Sequence, residues 1–366
     1  MPRYSPAAVN HALDMRQLAE RYGAEFRVVR QSILWANCPF PFHNERTPSF
    51  TVRPHTNHFY CYGCGKGGDP LRFIQIAEGL TAQTDFPKAL EIGAQLGGVA
   101  ADLDDRERER IEKLVAAKQE RHRAEMEAEK RAKAMSARKR WFEAEPSFRG
   151  TVAETYLRDR RGLNLDRLGP LSAIRYTDGF RWNMGAPDRP EWIARPAMLT
   201  ALTRGSKITG VHCTVLKADG SDCQRDVAQK GRIVFGSVAG AAMRLYRGAS
   251  GRDFRTALKG YEQDGEVETI ALAEGLEDTL SVAMLMPDWR CWAAYSLNNI
   301  GRVEMPAFCG ELVLCGENDA SAGARQALGR AAKEQVQRSQ GRYLVRGARP
   351  PDGKKDWNAV FEREAL

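Results

Sequence analysis

Four side chains in the first 64 residues have the types and spacing of a metal site. Cys61 and Cys64 stand two residues apart in "FYCYGCGKGGDP", and Cys38 and His43 lie upstream in "CPFPFHNERTPSF", giving C-x4-H-x17-C-x2-C. A Cys-x-x-Cys pair alone fits a redox site as well as a metal site, but a redox pair of the thioredoxin type normally opens a helix. Here Gly65, Gly67 and Gly68 follow, which favour a tight turn. Structural zinc is nearly always four-coordinate, and Cys38 and His43 complete the set. His55 and His58 are rival ligands, His58 especially if the inserted Pro-Phe displaces His43. A second chemical group lies near the other end. Glu274, Glu317 and Asp319 each follow an apolar run, in "IALAEGLED" and "LVLCGEND". Three acids at strand tips are costly unless a cation joins them, and hard ions such as Mg2+ or Mn2+ take carboxylate oxygens.

The elements that must position these groups are legible in the same segments. "SFTVRP" and "HFYCY" are rich in aromatic and β-branched residues and predict a hairpin that folds one ligand pair back on the other. Near the C-terminus, Thr269–Ala273 predicts a buried strand, followed by a helix, the strand "CWAAYS", the strand "CGELVLC", the helix "SAGARQALGRAAKEQVQRS" and the strand "GRYLVRG". Strand–helix alternation implies a parallel sheet covered by helices. Ligands of such sheets gather at the carboxyl ends of the strands, where Glu274, Glu317 and Asp319 stand. Between the two ends, residues 102–145 are more than half charged and contain no Gly or Pro. Glu109–Lys113 and Glu129–Lys133 have the i,i+4 spacing of helix pairs. This predicts an exposed helical connector of about 60 Å, with too few apolar residues for a heptad seam. The expected fold class is α/β multidomain: a zinc ribbon with flanking helices at 1–97, the charged helical linker at 98–148, a mixed α+β basic subdomain at 149–262 and an α/β domain with a parallel sheet at 263–366.

Composition narrows the function. The formal net charge is +8, and residues 150–266 carry 19 basic against 13 acidic side chains, which suits a polyanion such as nucleic acid. No 18-residue apolar run appears and the N-terminus lacks an apolar signal core, so a cytoplasmic protein with no membrane partner and reduced cysteines is expected. No phosphate-binding loop with a Walker lysine is present, which argues against a fused helicase.

The run "CPFPFHNERTPSF" followed by "FYCYGCGKGGDP" and Phe73 strongly resembles the CHC2 zinc-binding domain of DnaG-type primases, over about residues 13–97. The family usually has two residues between the first Cys and the His; here there are four, Pro39 to Phe42. The resemblance implies that this domain engages template DNA. Arg46, Arg53 and Lys66 would then meet phosphates, while Phe59, Tyr60 and Tyr62 either stack on unpaired bases or fill the domain's own core. "YLRDRRGL" followed by "ITGVHCTVL" is similar, more loosely, to the N-terminal half of the primase catalytic core. Arg204, Lys207, Arg225, Lys230, Arg232, Arg244 and Arg247 fall along this region, as spaced cations for a single strand.

The last hundred residues resemble the Toprim domain, whose signature is Glu-Gly after one strand and Asp-x-Asp after another. Glu274 matches the family glutamate, proposed for acid–base or metal chemistry, and Asp278 a frequent acid four residues on. Glu317 and Asp319 match the pair, with Glu317 in place of the first aspartate. "KKDWNAV" places Asp356 near the metals and Asn358 where a carboxylate often stands. Together these likenesses imply a DNA primase, a nucleotidyltransferase that joins nucleoside triphosphates on a single-stranded DNA template with catalytic Mg2+ or Mn2+ and structural zinc. A replicative helicase acting in trans is an implied partner. The chain ends soon after the Toprim-like region, so a compact primase of a phage, plasmid or other mobile element is expected. A Toprim nuclease or nicking enzyme and a non-catalytic nucleic-acid-binding adaptor are the alternatives.

Overall fold

The computed structural model describes residues 4–26, 28–30, 33–45, 47–81, 84–100, 105–184, 189–227, 231–318 and 321–361. The chain divides into two compact units, Met1–Ala128 and Glu129–Leu366.

In the first unit, strands β1 (Val28–Arg30), β2 (Ile33–Ala36), β3 (Phe50–Arg53), β4 (His58–Cys61) and β5 (Gly67–Gly68) pair in that order. Each neighbouring pair is antiparallel, including the β3–β4 hairpin that the sequence predicts. Helices Pro6–Ala12, Met15–Arg21, Pro70–Ala77 and Phe86–Gly97 surround the sheet. Ser5, Asp14 and Asp69 start the first three by accepting the backbone N–H groups of Ala8, Gln17 and Arg72. The core is aromatic: Phe40, Phe50, Phe59 and Phe73 are buried, with ring centroids between neighbours 5.2 to 6.1 Å apart. Asn57, in the hairpin turn with φ of 57°, ties the sheet to the helices. Its amide accepts from Met15 N–H at 2.8 Å and donates to Leu13 C=O at 2.7 Å.

The charged segment forms one helix, Asp105–Glu143, of 39 residues, or about 58 Å. The Glu109–Lys113 and Glu129–Lys133 pairs form at 2.6 and 2.5 Å. The expectation of an exposed connector fails at its C-terminal end. Ala137, Trp141 and Ala144 are buried against Leu199, Val211, Cys213 and Ile233. Arg175 donates to the carbonyls of Trp141 and Ala144 at 3.0 and 3.3 Å, satisfying helix-end acceptors while its guanidinium lies over the Trp141 ring. Charge density concealed this docking, because three apolar residues among many cations suffice for one seam.

The second unit is built on one sheet of β6 (Ile174–Asn183), β7 (Trp192–Arg204), β8 (Lys207–Val215), β9 (Arg232–Gly236), β10 (Ala242–Arg247), β11 (Glu268–Ala273), β12 (Arg290–Ala293), β13 (Cys309–Cys315) and β14 (Leu344–Ala348). The path runs β14-β13-β11-β12-β10-β7-β8-β9, with β6 paired to β7. The strands β14, β13, β11 and β12 are parallel, as their intervening helices require. The antiparallel β10–β12 pair joins them to the antiparallel half. The basic region and the C-terminal region therefore share a continuous sheet and a core running from Tyr156 and Leu157 to Leu280, Val313 and Trp357.

Candidate functional site

Cys38 follows β2, His43 closes a turn on Phe40 C=O, Cys61 ends β4, and Cys64 sits in the next turn. The β3–β4 hairpin and that turn bring the four together. One ligand atom from each of Cys38, His43, Cys61 and Cys64 lies within 4.8 Å of the others, the one such group of three or more Cys, His, Asp or Glu among the described residues. A Cys3His set of this size fits tetrahedral zinc. Gly65 N–H donates to Cys61 C=O at 2.9 Å with φ of +72°, a bend that glycine adopts without strain. His58 is not in the group; it stands exposed at the start of β4, its Nδ1 2.7 Å from Thr56 C=O.

The supporting residues Glu45 and Ser49 were quoted in the motif but given no task by it. Glu45 accepts from the backbone N–H groups of Cys38 at 2.8 Å and Ser49 at 3.1 Å, and from the Ser49 hydroxyl. Its other contact is His43 Nε2 at 3.5 Å, so the Nδ1 nitrogen, 3.5 Å from Cys61 Sγ, faces the thiolates. Burial works against the Glu45 charge, but these hydrogen bonds hold its carboxyl below the usual range. A carboxylate behind a ligating histidine fixes its tautomer and ring plane.

Of the surface residues expected to meet a template in this unit, Arg53 and Lys66 are exposed, and Arg46 lies outside the described residues. Of the two readings open for these aromatics, Phe59, 3% exposed, fills the domain's own core, while Tyr60 and Tyr62 are 42% and 55% exposed. Tyr62 lies parallel to Trp35 at 5.6 Å and edge-on to Tyr60 at 4.9 Å.

In the second unit, Glu274 follows β11, Asp278 lies on the first turn of helix Leu276–Leu285, Glu317 follows β13, and Asp356 comes after β14. Parallel pairing of β11 with β13 sets Ala273 opposite Cys315, which brings the Glu274 and Glu317 tips side by side. All four acids line one cavity of about 310 Å³, together with Arg161, His212, Arg232, Met243, Tyr295 and Asn358. Asp319 lies outside the described residues. Asn358 N–H donates to Asp278 at 2.9 Å, Ala359 N–H to Asp356 at 2.8 Å, and Trp357 Nε1–H to Gly316 C=O at 2.9 Å, which fastens the Asp356 loop under the strand tips.

The electrostatics carry the signature of crowded acids. Burial, with the Asp356, Glu317 and Glu277 carboxylates nearby, pushes the Asp278 carboxyl up to about 7 against the Asn358 N–H bond. Burial and Asp278 likewise raise Glu274, opposed by a backbone N–H from Leu297. Hard carboxylate oxygens that repel one another when ionised fit a divalent cation. Among the described residues, no three of these acids bring their oxygens within the 4.8 Å that the zinc set achieves. Asn358 Nδ2 donates to Arg161 C=O at 2.9 Å and to Ser281 Oγ at 3.1 Å, and its Oδ1 is buried with no hydrogen-bond partner.

Sequence reasoning missed the groups facing these acids. Glu277 Oε1 accepts from Arg232 at 2.7 Å and from the Tyr156 hydroxyl at 2.7 Å, and lies 3.6 Å from Arg161. Burial opposes its charge, yet Arg232, Arg161 and Tyr156 hold its carboxyl down at about 2. The signals were present as "YLRDRRGL" and as the second acid of "EGLED", but nothing in a linear motif pairs residues 161, 232 and 277.

The expected groove cations separate. Arg232 enters the acid-lined cavity, whereas Arg244 is removed from the set: its guanidinium lies 3.7 Å from the Phe254 ring centroid and 4.7 Å from that of Trp292, and burial with Arg290 nearby lowers it to about 10. Arg204 pairs with Glu304 at 3.7 Å and Arg225 with Asp222 at 3.2 Å, Arg247 donates to Ser172 at 3.0 Å, and Lys207 is exposed. Lys230 lies outside the described residues.

Among the described residues no helix is long and apolar enough to cross a membrane. Three families match the chain: the CHC2 zinc finger at residues 5–109, a domain of unknown function, DUF7146, at 131–245, and the Toprim domain at 269–365. The DNA primase of Mycolicibacterium smegmatis is 50% identical over 58 residues, 16% of this chain and 8% of that protein. The DNA primase of Pseudomonas aeruginosa is 42% identical over 66 residues, 18% of this chain and 9% of that protein. The chain thus spans less than a tenth of the length of these relatives in the matched stretch. The Aquifex aeolicus primase structure, with zinc-binding and RNA polymerase domains, aligns with 97% of this chain and 81% of its own at 17% identity and a TM-score of 0.40. With a CHC2 zinc finger in its first unit and a Toprim domain in its second, the chain is similar to the DnaG-type primases in domain composition.

Proposed function

We propose that the protein is a DNA primase that builds short oligonucleotides on single-stranded DNA by metal-dependent nucleotidyl transfer. The observation that carries this reading is the cavity in which four carboxylates, Glu274, Asp278, Glu317 and Asp356, face Arg161 and Arg232 at the tips of parallel strands. Carboxylates serve a divalent cation and guanidinium groups serve phosphates, and a nucleoside triphosphate needs both. Glu274, Glu317 and Asp319 are the proposed ligands of Mg2+ or Mn2+, with Asp278 and Asp356 beside them. Bound there, the ion supplies charge neutralisation for the triphosphate. Arg232 and Arg161 hold its phosphates. A 3′-hydroxyl attacks the α-phosphorus, its proton passes to Asp278 beside the ligands, and the bond to the bridging oxygen breaks as pyrophosphate leaves. In the second unit the exposed cations Arg204 and Lys207 are proposed template contacts; in the first unit, taken by itself, Arg53 and Lys66 offer phosphate contacts and Tyr60 and Tyr62 offer stacking faces for unpaired bases. The zinc set holds the first unit's hairpin in shape.

The test is incorporation of labelled nucleoside triphosphates by the full chain on single-stranded DNA with Mg2+. The wild type is expected to make oligonucleotides, and Asp278→Asn and Glu317→Gln each to lower synthesis about a hundred-fold or more while template binding persists. Cutting of the template without incorporation, or synthesis unchanged in both variants, refutes the reading.

A further inference from the structure

Glu277 lies in the first turn of helix Leu276–Leu285, one residue before Asp278, but it turns away from the metal-type acids toward two arginines. A single oxygen, Oε1, meets Arg232 Nη2, Arg161 Nη2 and the Tyr156 hydroxyl. Tyr156 Oη in turn accepts from Arg161 Nε at 3.0 Å and from the Cys223 thiol at 3.3 Å. The Glu277 and Arg161 side chains are 13% and 15% exposed, whereas Arg232 is 41% exposed and lines the cavity. The contact with Glu277 uses one guanidinium nitrogen of Arg232. An arginine has five N–H donors in a fixed plane, so others are left to meet a ligand.

The cavity sets two demands against each other. Guanidinium groups next to Glu274, Asp278, Glu317 and Asp356 are attracted to those carboxylates, and a guanidinium seated on them would occupy the oxygens a cation needs. Glu277, in the lining of the same cavity, supplies a competing anion that already holds both arginines. It is largely buried and held by the Tyr156 hydroxyl, and both arginines meet its one oxygen.

We infer that Glu277 is a positioning residue: it anchors Arg232 and Arg161 as a paired guanidinium seat for the phosphates of an incoming nucleoside triphosphate and keeps them off the metal-binding carboxylates. The inference rests on the nucleotidyl-transfer reading and goes beyond it by assigning how this seat is held. Neither the Glu-Gly nor the Asp-x-Asp motif contains Glu277.

The probe is a fluorescent ATP analogue titrated into the full chain with Mg2+, read by anisotropy, beside initial rates of incorporation. Glu277→Gln keeps the side-chain shape and removes the charge. It is expected to weaken nucleotide binding and raise KM about ten-fold, the size of one charge-assisted hydrogen bond, while kcat and template affinity stay within about two-fold. In an Arg161→Ala/Arg232→Ala background the same substitution is expected to add less than about two-fold, because Glu277 acts through these two guanidinium groups. Equal penalties in the two backgrounds, or no change in binding from Glu277→Gln, overturn the inference. Should Glu277→Gln fail to fold by its thermal transition, Arg232→Lys replaces it. That variant keeps the charge and loses the planar fork, and undiminished binding there is equally fatal. A wild type that incorporates no nucleotide sinks the primase reading, whereas a wild type that incorporates normally beside an unaffected Glu277→Gln sinks only the role of Glu277.

Discussion

Gly63, between the two cysteines of the Cys-x-x-Cys turn, is the place where one methyl group tests the zinc assignment. A Cβ built there would lie 2.3 Å from His43 Cε1, 2.7 Å from His43 Nε2 and 2.8 Å from Ser49 Oγ, against an ordinary contact of 3.4–4 Å. Its φ is not in the left-handed region, so Gly63→Ala is a purely steric change. To relieve it, the imidazole or the turn must move by about 1 Å, well outside the ~0.2 Å within which ligand distances must fall. His43 cannot retreat freely, because Glu45 stands 3.5 Å behind its Nε2 and is itself tied to Ser49 and to Cys38 N–H. Losing that orientation is expected to cost what loss of an outer partner costs, ten- to a hundred-fold in zinc affinity or about 1.4–2.7 kcal/mol. The assay is zinc competition against a chromophoric chelator with the full chain, and the thermal transition with and without zinc is followed in parallel. The variant should release zinc at lower chelator concentration, and its zinc-dependent stabilisation should shrink by the same free energy. Zinc affinity equal to wild type would show that His43 does not ligate from this position.

Two further outcomes follow from the second unit. Burial, with Arg232 adding to it and Glu277 opposing, pushes buried His212 down to about 4 from its ordinary 6.5, so the fold holds fewer protons than the unfolded chain between those values and loses stability as pH falls through that window. Denaturant unfolding of wild type and His212→Phe from pH 7 to 4 should therefore diverge by about 3 kcal/mol in favour of the variant at the acid end, and parallel profiles would exclude the effect. Arg204→Ala should lower the slope of log template affinity against log salt by about 0.7, whereas Arg244→Ala should leave the slope alone and cost about 2 kcal/mol of stability through its two ring contacts; the reverse pattern would return Arg244 to the groove.

The zinc site was legible because its chemistry is local in the chain. Cys61 and Cys64 share a turn, Cys38 and His43 share another, and a single hairpin with strong β-forming residues joins them. The two extra residues before His43 did not displace it, because Pro39 to Phe42 form a loop whose Phe40 turns into the core while Phe42 is exposed and stacks on it at 5.6 Å. The parallel strands of the second unit were legible for the same reason: β11 and β13 close on the buried apolar runs Ile270–Ala273 and Leu312–Cys315, each followed within two residues by an acid, which is how a strand end buried on both faces must read. Phe59 was ambiguous only in direction. Alternation along β4 buries it and exposes Tyr60, and a pattern of period two assigns the faces only once the buried side is known.

What stayed hidden depends on contacts between residues far apart in sequence. Arg232 and Arg244 lie twelve positions apart on strands consecutive in sequence and look equivalent in a charge count, yet one meets Glu277 and the other two aromatic rings. β9 and β10 are not adjacent in the sheet, where β8 and β7 separate them, so the two arginines meet different neighbours. The same geometry made Glu277 invisible. Its neighbour Asp278 faces acids and is pushed toward protonation, while Glu277, about 100° further round the helix, faces cations and is held ionised. Two consecutive acids thus acquire opposite electrostatic fates from one helical step, and a cation site and a phosphate seat can then stand side by side in the same cavity without neutralising each other.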